Sequence, residues 1–143
     1  MPYVYLGDIA TSDVAFEATG TTAEELFVAA AEATMNAMVG DLDTIADKER
    51  RRIAVEAEAM DMLLFELLEE LIYYKDAERL LLRVPRVRIH GENDRFVLEA
   101  EAYGEELDPE KHDLIVDVKA VTLHRYRVEQ TSRGWEATVI LDI

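Results

Sequence analysis

Trp135-Glu136-Ala137-Thr138-Val139-Ile140-Leu141-Asp142-Ile143, the last nine residues of the sequence, place apolar side chains at every second position. That period belongs to a β-strand with one buried face, here Trp135, Ala137, Val139, Leu141 and Ile143. Glu136, Thr138, Ile140 and Asp142 fall on the opposite face. The sequence stops on an apolar residue inside this pattern, so the α-carboxylate of Ile143 is expected to be held in a fixed place beside the carboxylate of Asp142. Two anionic groups that close repel one another unless a cation or a basic group lies between them.

Upstream of this strand the chain is nearly all strand. Leu80–Val84 and Val87–Ile89 flank Pro85, and His90–Asp94 reads as a turn. Phe96, Leu98, Ala100 and Ala102 then alternate with Val97, Glu99, Glu101 and Tyr103, and Gly104–Glu110 breaks the pattern. Ile115–Val118 and Ala120–Val128 supply further strand, and Gln130–Gly134 turns the chain into the last one. Nearer the front, Tyr3–Leu6 and Val14–Ala18 read as short strands around a polar loop, Gly7–Asp13. Asp13 thus stands where a loop enters a strand. Ile53, Val55, Ala57 and Ala59 alternate as another strand.

Two helices interrupt the strands. Thr22-Ala23-Glu24-Glu25 has the capping-box pattern, and the alanine-rich helix it opens ends near Gly40, a natural residue just past a helix C-terminus. The second helix starts with Asp61 as its cap. It buries Leu64, Leu67, Leu68, Leu71 and Ile72, turns Glu66, Glu69 and Glu70 to solvent, and fades around Tyr74–Asp76. The expected fold is α+β and two-layered, with two main helices on one face of a largely antiparallel sheet. At 143 residues, a single domain spanning 1–143 is expected.

Composition narrows the function. The net charge of −16, from 15 basic and 31 acidic residues, disfavours tight nucleic-acid binding and favours a basic partner or bound cations. No apolar run reaches membrane-spanning length and no signal peptide opens the chain, so a cytoplasmic protein is expected. The absence of cysteine excludes thiolate chemistry. Asp41–Asp47 has acids at alternate positions, but Ile45, Ala46 and Arg52 stand where a calcium loop needs a ligand, a glycine and a final acid. A solvated connection is expected there.

No phosphate-cradling glycine loop, zinc-type histidine pair or nucleophile elbow is present. His90 is expected to be exposed in a turn, and His112 to belong to the Asp108-Pro109-x-x-His112 turn capped by Asp108. His124 is read as a hydrogen-bonded residue in mid-strand. Lys119 either points to solvent or meets a phosphate or an acid. Asp13, Asp142 and the Ile143 carboxylate form an oxygen-only set, which suits a hard cation. The alternative is that Asp142 pairs with Arg125 or Arg127 at the sheet edge.

Over essentially its full length the chain resembles the archease family. The resemblance is carried by Thr11-Ser12-Asp13-Val14-Ala15-Phe16-Glu17-Ala18-x-Gly20, Thr22-x-Glu24-Glu25-Leu26-Phe27 and Asp61-x-Leu63-Leu64 leading into Leu67-x-Glu69-x-Leu71. Ala102-Tyr103-Gly104-Glu105, Asp108-Pro109-x-x-His112, Val118-Lys119-Ala120-Val121-Thr122-x-His124 and the closing strand complete it. The family pattern Asp-His-Thr-Ala-Asp-x-Gly is altered, with Ile9 and Ala10 replacing its first Asp-His and Ala15 its glycine; its second Asp is kept as Asp13.

The resemblance implies a non-catalytic accessory protein that activates the GTP-dependent RtcB-type RNA ligase of tRNA splicing. It also implies a divalent cation, calcium first and magnesium or manganese as alternatives, on Asp13, Asp142 and Ile143. Asp61, His112, Lys119 and His124 match family positions and are candidates for site-adjacent or partner-facing roles. A monomer is expected. Two other readings remain: a small metal-dependent phosphohydrolase using Asp13 and Asp142 with Lys119 on the phosphate, and a chaperone-like binder of several partners.

Overall fold

The computed structural model describes residues 2–7 and 13–143. The polar loop expected at Gly7–Asp13 lies, for residues 8–12, outside the described residues, and with it Ile9 and Ala10. The elements are β1 (Tyr3–Leu6), β2 (Asp13–Gly20), α1 (Ala23–Met38), a 3-10 turn (Leu42–Thr44), β3 (Glu49–Ala57), α2 (Met60–Glu78), β4 (Leu80–Arg83), β5 (Val87–Glu92), β6 (Arg95–Glu106), β7 (Ala120–Thr131) and β8 (Gly134–Asp142).

This is the expected α+β class, with two helices and antiparallel pairing throughout the described strands. The strands divide into two sheets. One runs β1-β2-β8-β7; in the other, β6 is flanked by β3 on one side and by β4 and β5 on the other. Both helices touch both sheets: α1 contacts β1, β2 and β8 as well as β4 and β5, and α2 contacts β7 as well as β3, β4 and β6. Small residues allow this close approach. Eleven of the sixteen residues of α1 are buried, six of them alanines between Ala23 and Ala37, so the helix is enclosed rather than laid on one surface.

Thr22 caps α1 as expected, its hydroxyl accepting from the Glu25 N–H at 3.1 Å. The Glu25 carboxylate returns to Thr21, at 3.2 Å from its N–H and 2.6 Å from its hydroxyl. Gly40 does follow α1 but is not left-handed, since Gly134 is the glycine with positive φ. A Cβ at Gly40 would lie 2.4 Å from the Asp113 carboxylate, an exposed side chain that would have to turn aside. The Asp41–Asp47 segment is a solvated connection around the 3-10 turn, with Asp43 and Asp47 paired to Arg83 and Arg50.

Several boundaries differ from the sequence reading. Ala59, expected in a strand, caps α2, and Asp61 is the helix's second residue. The helix continues to Glu78 and is closed by Arg79 in the left-handed conformation, with Lys75 buried in its last turn. The turn is Asn93-Asp94 alone, both at positive φ, which joins β5 to β6 with the twist a two-residue hairpin favours. β6 runs through Gly104 to Glu106 because β4 pairs there. Ile115–Val118 is not a strand: apart from an isolated bridge between Leu114 and Val39, residues 113–119 pair with no sheet. The large apolar residues there are drawn in singly, Val118 fully, while Ile115 stays exposed.

Candidate functional site

β2 begins where β8 ends. In their antiparallel register Asp13 stands directly opposite Asp142, followed by Val14 opposite Leu141 and Ala15 opposite Ile140. Residues paired this way project to the same face of the sheet, with Cβ atoms about 5 Å apart. Val14, Phe16 and Leu141 face the helices, so the two aspartates point away from them. Both are half-buried. Ile140 and Ala15, although on the same outward face, are each 1% exposed, and so the carboxylates rise from an apolar floor rather than from a polar surface.

On the other flank of β8, Ala120 of β7 stands opposite Asp142, and the Lys119 N–H donates to the Asp142 carbonyl at 2.8 Å. Asp13, Asp142 and the backbone of Lys119 therefore meet at one end of the first sheet. The Ile143 side chain packs against the core, as the alternation implied. The rival arrangement does not form. Arg127 pairs with Glu129 and Glu136, and no ion pair links Asp142 to Arg125 or Arg127 among the described residues.

Further along β7 the ladder breaks. Between the pairs Thr122–Ile140 and Arg127–Thr138, β7 has Leu123, His124, Arg125 and Tyr126 where β8 has only Val139. Arg125 takes φ +54°, a left-handed conformation that costs a non-glycine residue energy. Tyr126 anchors the bulge: its hydroxyl donates to the Asp61 carbonyl at 2.6 Å, and its ring meets Phe65 edge-on. Burial, reinforced by the nearby Asp61 carboxylate, pushes the Tyr126 phenol well above its usual pKa. His124 is exposed in this bulge rather than hydrogen-bonded in mid-strand. Bulges of this kind twist an edge strand away from further pairing and re-aim its side chains.

The remaining candidates lie apart. Asp61 is exposed, its carboxylate accepting from the Met62 N–H at 2.7 Å. His112 is buried and serves the second sheet. The Asp108 N–H donates to its Nδ1 at 3.0 Å, so the ring carries its proton on Nε2 and gives it to Glu105, 3.1 Å away. Glu105, 4% exposed, escapes sequence reasoning because the pattern of its strand breaks at Gly104, one residue before it. Burial alone would raise its pKa. Hydrogen bonds from Lys111, the Ala46 N–H and His112 outweigh burial and hold it at about 2. This cluster is a structural clasp around the Asp108 turn, whose carboxylate caps the Glu110 N–H.

The donor chemistry of the Asp13–Asp142 pair suits a hard divalent cation, since it offers only carboxylate oxygen. Among the described residues no group of three or more His, Cys, Asp or Glu side chains converges on one point.

Comparison with known proteins agrees along the whole chain. The sequence is 38% identical over 134 residues to the protein archease of Pyrococcus abyssi, covering 93% of this chain and 94% of that one. It is 34% identical over 142 residues to the protein archease of Methanosarcina barkeri, covering 99% and 95%. The solution structure of Methanobacterium thermoautotrophicum protein 1598 superposes with a TM-score of 0.85 at 33% identity, covering 99% of each chain. The crystal structure of a Thermotoga maritima archease, described as a possible chaperone, shares the fold at 18% identity and a TM-score of 0.59. The sequence model of the Archease protein family matches residues 3–143, and the chain belongs to that family.

Proposed function

We propose that this chain is a non-catalytic accessory protein that binds a divalent cation and activates a GTP-dependent RtcB-type RNA ligase, promoting its guanylylation and turnover in tRNA splicing. The observation that carries the reading is the cross-strand juxtaposition of Asp13 and Asp142 in a member of the archease family. Their carboxylates, with main-chain oxygen of Ile143, would hold the cation, calcium first and magnesium or manganese as alternatives. Bound there, the cation supplies a positive centre that offsets the repulsion between the two aspartates. An acidic surface, net −16, favours a basic protein partner over nucleic acid. Neither His90, paired to Glu92, nor His112, paired to Glu105, is arranged to serve the aspartates as a general base. No helix among the described residues is long and apolar enough to cross a membrane.

The test is ligation of a 3′-phosphate RNA by the cognate ligase under multiple-turnover conditions, with and without this protein. Asp13→Ala and Asp142→Ala are expected to stay folded and lose stimulation; full stimulation by both overturns the proposal. Turnover of phosphoesters by the purified protein alone with magnesium or manganese would favour the phosphohydrolase instead.

A further inference from the structure

Residues 113–119 cross from the Asp108 turn to the start of β7 with almost no sheet pairing of their own. Their far end is held by α2. Lys75 has a side chain 5% exposed, and its Nζ donates to Asp117 Oδ1 at 2.5 Å, to Asp76 Oδ1 at 2.5 Å and to the Val118 carbonyl at 2.7 Å. An ammonium has three hydrogens, and all three are used. Three residues later, the Val121 N–H donates to Glu69 Oε1 at 3.3 Å. Two side chains of one helix thus grip the backbone on either side of Lys119, and Lys119 is the residue whose N–H closes on the Asp142 carbonyl at 2.8 Å.

Position 75 continues the buried stripe of Leu68, Leu71 and Ile72, where helical periodicity asks for another aliphatic residue. Burying a charge costs more than burying leucine unless its partners repay it. Local rules broken at such a cost mark places where position matters more than stability. We propose that Lys75 is a positioning residue of the Asp13–Asp142 site: it pins the 117–118 backbone so that Lys119 and the start of β7 lock the end of β8, and with it the Asp142 carboxylate, in register with Asp13. The inference rests on the cation-binding reading above.

The test compares calcium titration calorimetry and amide hydrogen exchange for the wild-type chain, Lys75→Met, Lys75→Arg and Glu69→Ala. Leu98→Ala, in the second sheet, is the control for lost stability. Lys75→Met is expected to weaken calcium binding about tenfold or more, in the range that supporting residues around a metal site command. It should also speed exchange at the amides of Lys119 and Val121. Lys75→Arg, which keeps the charge, should recover part of the affinity, and Leu98→Ala should lose stability while binding calcium as wild type does. Wild-type affinity in Lys75→Met, or an equal loss in Leu98→Ala, overturns the inference. If Lys75→Met does not fold, Glu69→Ala decides: weaker calcium binding supports the inference and wild-type affinity overturns it. Should the wild-type protein take up none of calcium, magnesium and manganese, the cation reading itself fails. The exchange arm then still judges the clamp, since unchanged protection at Lys119 in Lys75→Met refutes it.

Discussion

Asp13, the first residue of β2, and Asp142, the last of β8, oppose each other across one antiparallel pair and carry the same charge on the same face. At about 5 Å their repulsion is worth about 1 kcal/mol if screened as in bulk water, and several times that where solvent is partly excluded. Directly opposed like charges destabilise a sheet, so the cation-free protein carries a cost at this point. Asp13→Asn and Asp142→Asn should each raise the melting temperature measured in a chelator, by a few degrees. Both variants should lose the further rise that calcium gives the wild-type protein. Scanning calorimetry with and without calcium separates the two effects.

Glu105, held by Lys111, the Ala46 N–H and His112, forms an acid-sensitive contact. The Glu105 carboxylate titrates at about 2 in the folded protein, against about 4.3 for an unperturbed glutamate. A depressed folded-state value means that the ionised form stabilises the fold: the contribution is complete above about pH 5 and is lost as the pH falls towards 2. Glu105→Gln should therefore melt several degrees lower at neutral pH, and the gap should close on acidification through that window. A gap that stays constant down to pH 2 would contradict this assignment.

Gly104 admits no side chain. A Cβ built there would lie 1.7 Å from the Leu81 carbonyl oxygen, a backbone atom of the strand paired with it. Gly104→Ala must push β4 away from β6, and should cost about 2 kcal/mol or more, in the range of overpacked cores. Denaturant unfolding measures it directly.

Tyr126 ties the bulge of β7 to the first turn of α2 through one hydrogen bond to the Asp61 carbonyl. Tyr126→Phe keeps the ring against Phe65 and removes only that bond, so it should cost roughly 0.5–1.5 kcal/mol. Faster exchange at the Leu123–Arg125 amides, with the rest of the chain unchanged, is the expected signature.

Elements encoded by neighbouring residues are legible in the sequence. The alternation of Trp135 to Leu141, the Thr22 cap, the aliphatic stripe of α2 and the placing of Asp13 at a strand entrance all hold. Ile115–Val118 misleads because an apolar run looks the same whether it pairs in a sheet or plugs a core one residue at a time. Glu105 and Lys75 escape notice because nothing local marks a charged residue as buried until its distant partners are known. The motifs of the closing strand and of Val118–His124 also carry the family.

Alone, then, the sequence determined the class of the fold, the place of most of its elements and the residue types available for a cation, because periods of two and of 3.6 residues are written in adjacent positions. Tertiary structure alone decided that Asp13 faces Asp142, that Lys75 grips the backbone beside Lys119, and that His112 serves Glu105 rather than the aspartates. Strand register and the partners of a buried charge are set by contacts between segments far apart in the chain. No local pattern records which of them will meet.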